Sequence, residues 1–269
     1  MMTEMKHTGD LLKMDLRRTF RTQPFYWLLL GVATLVMVVF RTAAREDNVT
    51  LMGLLGSYTA GEGFDPMASM MGISIIPLFS MIAFVLNVGG DFSTGFAKNI
   101  FTFHANKWEY VISKTALGAI ISSLYILAYM IGFLVVGSVM GLPWGVASIG
   151  EMVLYVIQKM LLTIPLSSLV LFVMILLRNR GWGIVSAIAV SMGSVSMFVM
   201  MAASILTGIT GIDFSWLSAL TAWFISGCSS SLVLMASVPQ SLKVLGVTAI
   251  WTLLWSVLTW NRLKKKDIL

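Results

Sequence analysis

Stretches without Asp, Glu, Lys or Arg run over 22–40, 48–61, 66–90, 115–150, 160–177, 181–212, 214–242 and 244–261. A helix needs about 20 mostly apolar residues to cross a bilayer. Length and apolar content therefore predict six spans, at 24–40, 68–88, 115–139, 152–177, 182–206 and 244–260. The 48–61 stretch is too polar and glycine-rich to count. Leu217–Ala236 is apolar enough to compete as a seventh span.

Charge placement decides between six and seven. With six crossings both termini share one side. That side holds Lys6, Lys13, Arg17, Arg18, Arg21, Lys98, Lys107, Lys114, Arg178, Arg180, Arg262, Lys264, Lys265 and Lys266, which is 14 of the 18 basic residues. Basic residues accumulate on the cytoplasmic side. The expectation is an all-α polytopic membrane protein, a single transmembrane domain over 1–269 with six transmembrane helices and both termini in the cytoplasm. Residues 208–240 then form an outer loop whose apolar part dips back into the membrane or caps it. Trp27, Trp182 and Trp260 fall at the expected inner boundaries and Trp144 and Trp216 near the outer ones, as indole rings prefer.

Composition fits this picture and excludes others. Hydrophobic residues make up 58% and charged residues 11%, against about 25% charged in soluble domains. A water-soluble fold could not hide so much apolar surface. The net charge of +6 reads as topology, so nucleic acid drops out as a partner. The single cysteine, Cys228, permits no internal disulfide. Residues 1–23 lack the apolar run of a secretory signal, so the first apolar run is expected to be a retained span.

Two polar segments exceed what topology requires. Residues 10–23 read as an amphipathic interfacial helix. On a helical wheel Leu12, Leu16, Thr19 and Phe20 gather on one side, with Lys13, Arg17, Arg18 and Arg21 on the opposite arc facing anionic lipid. A plain solvated basic leader is the alternative. Pro24 ends this helix. Residues 91–114 form the longest cytoplasmic loop and carry Phe92, Phe96, Ile100, Phe101, Phe103 and Trp108 beside Lys98, Lys107 and Lys114. Such rings need burial against lipid, the chain's own spans or a partner protein. Asn106 and Glu109 stand at capping-box spacing. One short helix is expected at 93–102, a break at 104–106, and a second helix leading into the third span.

Inside the spans the chemistry is sparse. Lys159 is the one charge placed within a span, either snorkelling to the outer surface or contacting substrate. Glu151, two turns earlier, is near enough for partial pairing. Pro77 and Pro165 bend their helices. Gly183, Ala187 and Ser191, with Ser194 a turn further on, allow close helix approach. Lys159 and Ser194 are the candidates for a substrate path. No predicted span carries His, Asp or Glu, which removes a serine–histidine protease, a histidine metal site and a carboxylate proton relay. The chain has no phosphate-binding G-x-x-x-x-G-K-[ST] sequence. It is therefore expected to be non-catalytic, with no catalytic residue, metal or cofactor of its own.

The order of parts resembles the membrane subunit of an ABC exporter of the second type, a family of drug, polysaccharide, lipid and antimicrobial-peptide permeases. The most specific stretch is Gly89-Gly90-Asp91-Phe92-Ser93-Thr94-Gly95-Phe96-Ala97-Lys98-Asn99-Ile100, followed by Lys107-Trp108-Glu109-Tyr110-Val111-Ile112-Ser113-Lys114. It is similar to small bacterial permeases for lantibiotic immunity and peptide-antibiotic or drug export. The resemblance implies that 10–23 is an elbow helix and that 93–103 is a coupling helix, with Phe96, Lys98, Asn99, Ile100 and Phe101 docking on a cytoplasmic P-loop ATPase. It implies re-entrant helices in 208–240 and a second permease copy or paralogue as homo- or heterodimer partner. It also implies ATP and Mg in the ATPase subunit, and a bacterial cell membrane. An ATP-independent secondary carrier and a non-transporting membrane scaffold or sensor are the competing readings.

Overall fold

The computed structural model describes residues 2–43, 75–93, 106–177, 179–210, 214 and 216–265. Among them all regular structure is helical. The helices are α1 (Met2–Thr19), α2 (Gln23–Ala43), α3 (Ile76–Ser93), α4 (Lys107–Val139) and α5 (Ile149–Leu177). They continue with α6 (Arg180–Ser191), α7 (Ser194–Thr210), α8 (Trp216–Thr221), α9 (Ile225–Ser230) and α10 (Val238–Lys265).

Four of these are long and apolar enough to cross a membrane: α2, α4, α5 and α10. The chain is accordingly a membrane protein with multiple apolar helices. Helix α3 has 18 residues, about 27 Å at a rise of 1.5 Å per residue. The 182–206 stretch differs from the single span expected. It is divided into α6 and α7 at Met192–Gly193, where Gly193 takes a φ of +73° that favours glycine. Leu217–Ala236 makes no seventh span. It holds the six-residue helices α8 and α9, each about 9 Å long and far short of a bilayer.

The amphipathic helix starts earlier and ends earlier than 10–23. Arg17 and Arg18 in its last turn favour the negative end of the helix dipole. Thr22 Oγ1 donates to the Thr19 carbonyl at 2.8 Å in the turn that follows. Pro24 is the second residue of α2, a first-turn position where a missing N–H costs nothing. The Tyr125 hydroxyl donates to the Phe25 carbonyl at 2.7 Å and so pins the start of α2 to α4.

Helix α4 is the hub, packed against α1, α2, α3, α5 and α10. Small residues make the close approaches. Gly118 lies on Ser167 of α5, and Ser122 Oγ donates to Ser80 Oγ of α3 at 3.0 Å. Gly183 of α6 packs under Met174 and Val85, where a Cβ would stand 2.8 Å from Met174 Cγ. The stripe expected from Gly183 and Ala187 therefore serves packing within the chain, and Ala187 is fully buried.

The element ends sort into two groups. At one end lie α1, the C-terminal turn of α3, the N-terminal turns of α4 and α6, and the C-terminal turn of α10. Lys107 Nζ donates to the Leu263 carbonyl at 2.8 Å, the Trp108 and Trp260 rings meet edge to face at 5.7 Å, and Arg180 Nη2 donates to the Leu86 carbonyl at 2.9 Å. At the other end α5 meets α9 and the start of α10, through Lys159 and Ser229 and through Gln158 and Ser241.

Candidate functional site

The residues most out of keeping with an apolar bundle are Asp15, Arg18, Asp91 and Lys114. Each comes from a different local rule. On α1, Leu11, Asp15 and Thr19 recur every four residues and form the buried face. One carboxylate is thus carried inward with the apolar stripe. On α3, Asp91 lies in the last turn and is fully buried. On α4, Lys114 lies two turns into the helix and is also buried. That helix begins where Asn106 caps it by accepting the Trp108 N–H at 3.2 Å.

These side chains close into a ring. Lys114 Nζ stands 2.7 Å from Asp15 Oδ2 and 2.6 Å from Asp91 Oδ2. Arg18 Nη1 stands 2.5 Å from Asp91 Oδ1, and its Nη2 donates to the Asn87 carbonyl at 2.9 Å. The Asn87 amide donates to Thr19 Oγ1. Thr19 Oγ1 in turn donates to the Asp15 carbonyl at 2.8 Å. Two cations meet two carboxylates, so the ring balances its formal charge. Tyr110 lies beneath it, its ring centroid 5.3 Å from Lys114 Nζ. Burial pushes the Asp15 carboxyl above its ordinary range, and the Lys114 ammonium opposes that shift.

The adjacent glycines are part of the site. A Cβ on Gly90 would collide with the Arg18 guanidinium, and one on Gly89 would stand 2.8 Å from Arg180 Cγ. Gly89-Gly90-Asp91 thus lets two arginines cross the α3 backbone and pairs one of them.

Several expected roles change. Arg18 does not face lipid with the other bases. It turns onto α3 because Asp91 offers a buried counter-charge. Arg17 and Arg21 remain exposed, and Leu12 and Leu16 are half-buried. Phe20 is not on the buried face. It is 41% exposed, since Thr19 occupies the inward position one residue earlier. The proposed ATPase-contact residues Phe96, Lys98, Asn99, Ile100 and Phe101 lie outside the described residues. The helices on either side of that segment, α3 and α4, are the two that Asp91 and Lys114 join.

Lys159 does not snorkel. It is 4% exposed and bends onto α9, donating to the Ser229 carbonyl at 2.7 Å and contacting Ser229 Oγ at 3.2 Å. The Tyr155 ring lies 5.4 Å from its Nζ. Glu151 is not its partner. That carboxylate caps α5 instead, accepting from the Ser148 N–H at 2.7 Å and its hydroxyl at 2.8 Å. Ser194 is half-buried and follows Gly193, whose Cβ position is 3.4 Å from Ser226 of α9. Helix α9 is thus flanked by both proposed path elements.

Asp15, Thr19, Asn87 and Lys114 are the functional candidates that the hydropathy pattern passed over. The available signal was Asp15 itself, an acid at four-residue spacing from Leu11 and Thr19. Among the described residues no group of three or more His, Cys, Asp and Glu side chains could hold a metal ion. The chain matches no protein-family model and no curated protein sequence.

Proposed function

We propose that this chain is the permease subunit of an ATP-driven exporter in a bacterial cell membrane. It crosses six times with both termini in the cytoplasm and works with a second copy or a paralogous permease. A separate cytoplasmic P-loop ATPase subunit binds ATP and Mg and hydrolyses the nucleotide. The cargo is amphipathic or hydrophobic, of the peptide-antibiotic, drug or lipid-like class. The outer segments, with Glu46, Asp47, Glu62, Asp65, Glu151 and Asp213 against Arg41, Arg45 and Lys243, favour a cationic cargo.

The ion ring is the observation that carries this reading. Asp91 and Lys114 stand at the two anchor points of the segment 94–105 and are bonded to each other and to α1. A push on that segment is delivered to α3 and α4 together and to the surface helix with them. A buried, charge-balanced ring resists partial opening, because removing one partner strands the other charge. That suits rigid transmission of movement from a cytoplasmic motor. The clustering of α1, α3, α4, α6 and α10 ends on one side agrees with the segregation of 14 of 18 basic residues.

The test is uncoupling. Lys98→Glu and Phe96→Asp should abolish association of the ATPase subunit in detergent extracts of native membranes, and transport with it. Elution and thermal unfolding of the chain itself should be unchanged. Full ATPase association and transport in both variants would overturn the reading.

A further inference from the structure

Helix α10 carries a polar face that the ion ring does not use. Thr248 Oγ1, Thr252 Oγ1, Trp255 Nε1 and Arg262 Nε are closed off from solvent and have no hydrogen-bond partner among the described residues. Their spacings of four, three and seven residues place them on one side of the helix. From Ser241, on the same side, to Trp255 the face extends about 21 Å at 1.5 Å per residue, most of a hydrocarbon layer about 30 Å thick, and Arg262 stands two turns further on, beyond the end of α5.

This face looks into the bundle. Gln158 Nε2 of α5 donates to Ser241 Oγ at 2.9 Å, and Phe172 of α5 packs on Trp255 at 5.4 Å between ring centroids. Both pairs have the same sequence offset, so α5 and α10 run parallel in one register. At the far end of the seam Gln158 Oε1 also lacks a partner among the described residues. At the level of Thr248 the same register brings Pro165, which cannot donate to the Leu161 carbonyl.

Hydrocarbon supplies no hydrogen bonds, so buried polar groups at membrane depth must find partners in protein or water. A threonine hydroxyl can turn onto its own helix, as Thr259 does by donating to the Trp255 carbonyl at 2.7 Å. The Trp255 indole N–H has no such freedom. Partners along this seam must be small and able both to donate and to accept, as water does. We infer that the α5–α10 seam binds a file of water molecules, forming a hydrated polar path through the apolar bundle. The inference rests on the chain's crossing a membrane and is independent of the ATPase reading.

The test places single cysteines in a Cys228→Ser background at Thr248 and Thr252 on the seam, and at Ile250 and Leu253 on the exposed apolar face. Membrane vesicles of both orientations are treated with silver ion, which is about the size of a water molecule and reaches thiols only through water, and the labelled fraction is read as thiol lost to alkylation after unfolding. The seam cysteines should label at least about tenfold faster than those at 250 and 253. Equal or slower labelling would overturn the proposal. If the cysteine variants do not fold, Thr252→Val decides. A hydrated seam predicts a lower unfolding temperature on losing the hydroxyl. A dry seam predicts an unchanged or higher one, because an orphaned polar group is removed.

Discussion

Lys114 and Asp91 meet at 2.6 Å from opposite sides of the 94–105 segment, in a part of the bundle where both side chains are shut off from water. The contact is not an isolated pair. Asp15 takes a second position on the same ammonium at 2.7 Å, and Arg18 holds the other oxygen of Asp91. Removing Lys114 leaves two buried carboxylates facing one guanidinium. Lys114→Met should therefore cost about 3–5 kcal/mol of unfolding free energy, measured by denaturant titration in detergent. Lys114→Met combined with Asp15→Asn restores charge balance through Arg18 and Asp91, and should recover most of that loss.

Gly90 and Arg18 should behave as one unit. A Cβ at Gly90 occupies the place of the Arg18 guanidinium, so Gly90→Ala acts chiefly by breaking the Arg18 contacts. Gly90→Ala and Arg18→Gln should each destabilise by about 1–3 kcal/mol, the cost of leaving a buried polar group unpaired. Their double variant should fall well short of the sum, since neighbours in one network are non-additive. The exposed Arg17→Gln should stay within about 0.5 kcal/mol of wild type. Parallel unfolding curves of the four proteins check all three statements.

The Asp15 carboxyl gives the ring a pH signature. Its folded value lies above the ordinary 3.8 because burial outweighs the nearby Lys114. Between 3.8 and the folded value the native state holds a proton that the unfolded chain has released. Asp15 therefore adds stability as pH falls through that window, and loses it as pH rises through the folded value. The stability difference between wild type and Asp15→Asn should shift in favour of wild type on going from pH 7 toward pH 4. A difference independent of pH would remove the shift.

At the opposite end, Lys159 holds α9 through Ser229. Cys228, the residue before it, is buried and reports whether that contact is closed. A hydrogen bond to a charged group contributes about 1.5–3 kcal/mol, which is tenfold or more in a local opening equilibrium. Lys159→Met should raise the rate of Cys228 alkylation in membranes at least about tenfold while the global unfolding transition stays single. Alkylation at the wild-type rate would mean that Lys159 does not restrain α9.

The hydropathy pattern made the long helices legible, because length and charge-free runs are local properties. Asn106 was legible as a cap for the same reason. The ring was not. A wheel drawn over 10–23 assigns Arg18 to the same arc as Arg17, since it sees only the helix and not the Asp91 waiting on α3. Asp15 disappears among five basic neighbours in residues 6–21, yet its four-residue relation to Leu11 and Thr19 carries it inward. Lys114 reads as part of a loop in the sequence, because the charge-free run begins only at 115, whereas α4 starts two turns earlier at Lys107. Gly89-Gly90-Asp91 stood out as a motif, but its reason lies in two arginines that arrive from α1 and α6. For Lys159 the sequence shows only nearness to the end of α5, which leaves the outer surface and a substrate contact both open. Only the fold of 216–230 into two short helices supplies Ser229 beneath it.

The proposed function requires the segment between Asp91 and Lys114 to touch a cytoplasmic motor. The most direct measurement places a photo-activated cross-linking amino acid at Phe96 or Phe101 and illuminates native membranes. A matched probe at the exposed Trp27 serves as the control. A covalent adduct with a P-loop ATPase is expected from positions 96 and 101, none from position 27, with loss of the adduct in Lys98→Glu. Adducts only with lipid, or with a protein that has no nucleotide-binding site, would contradict it.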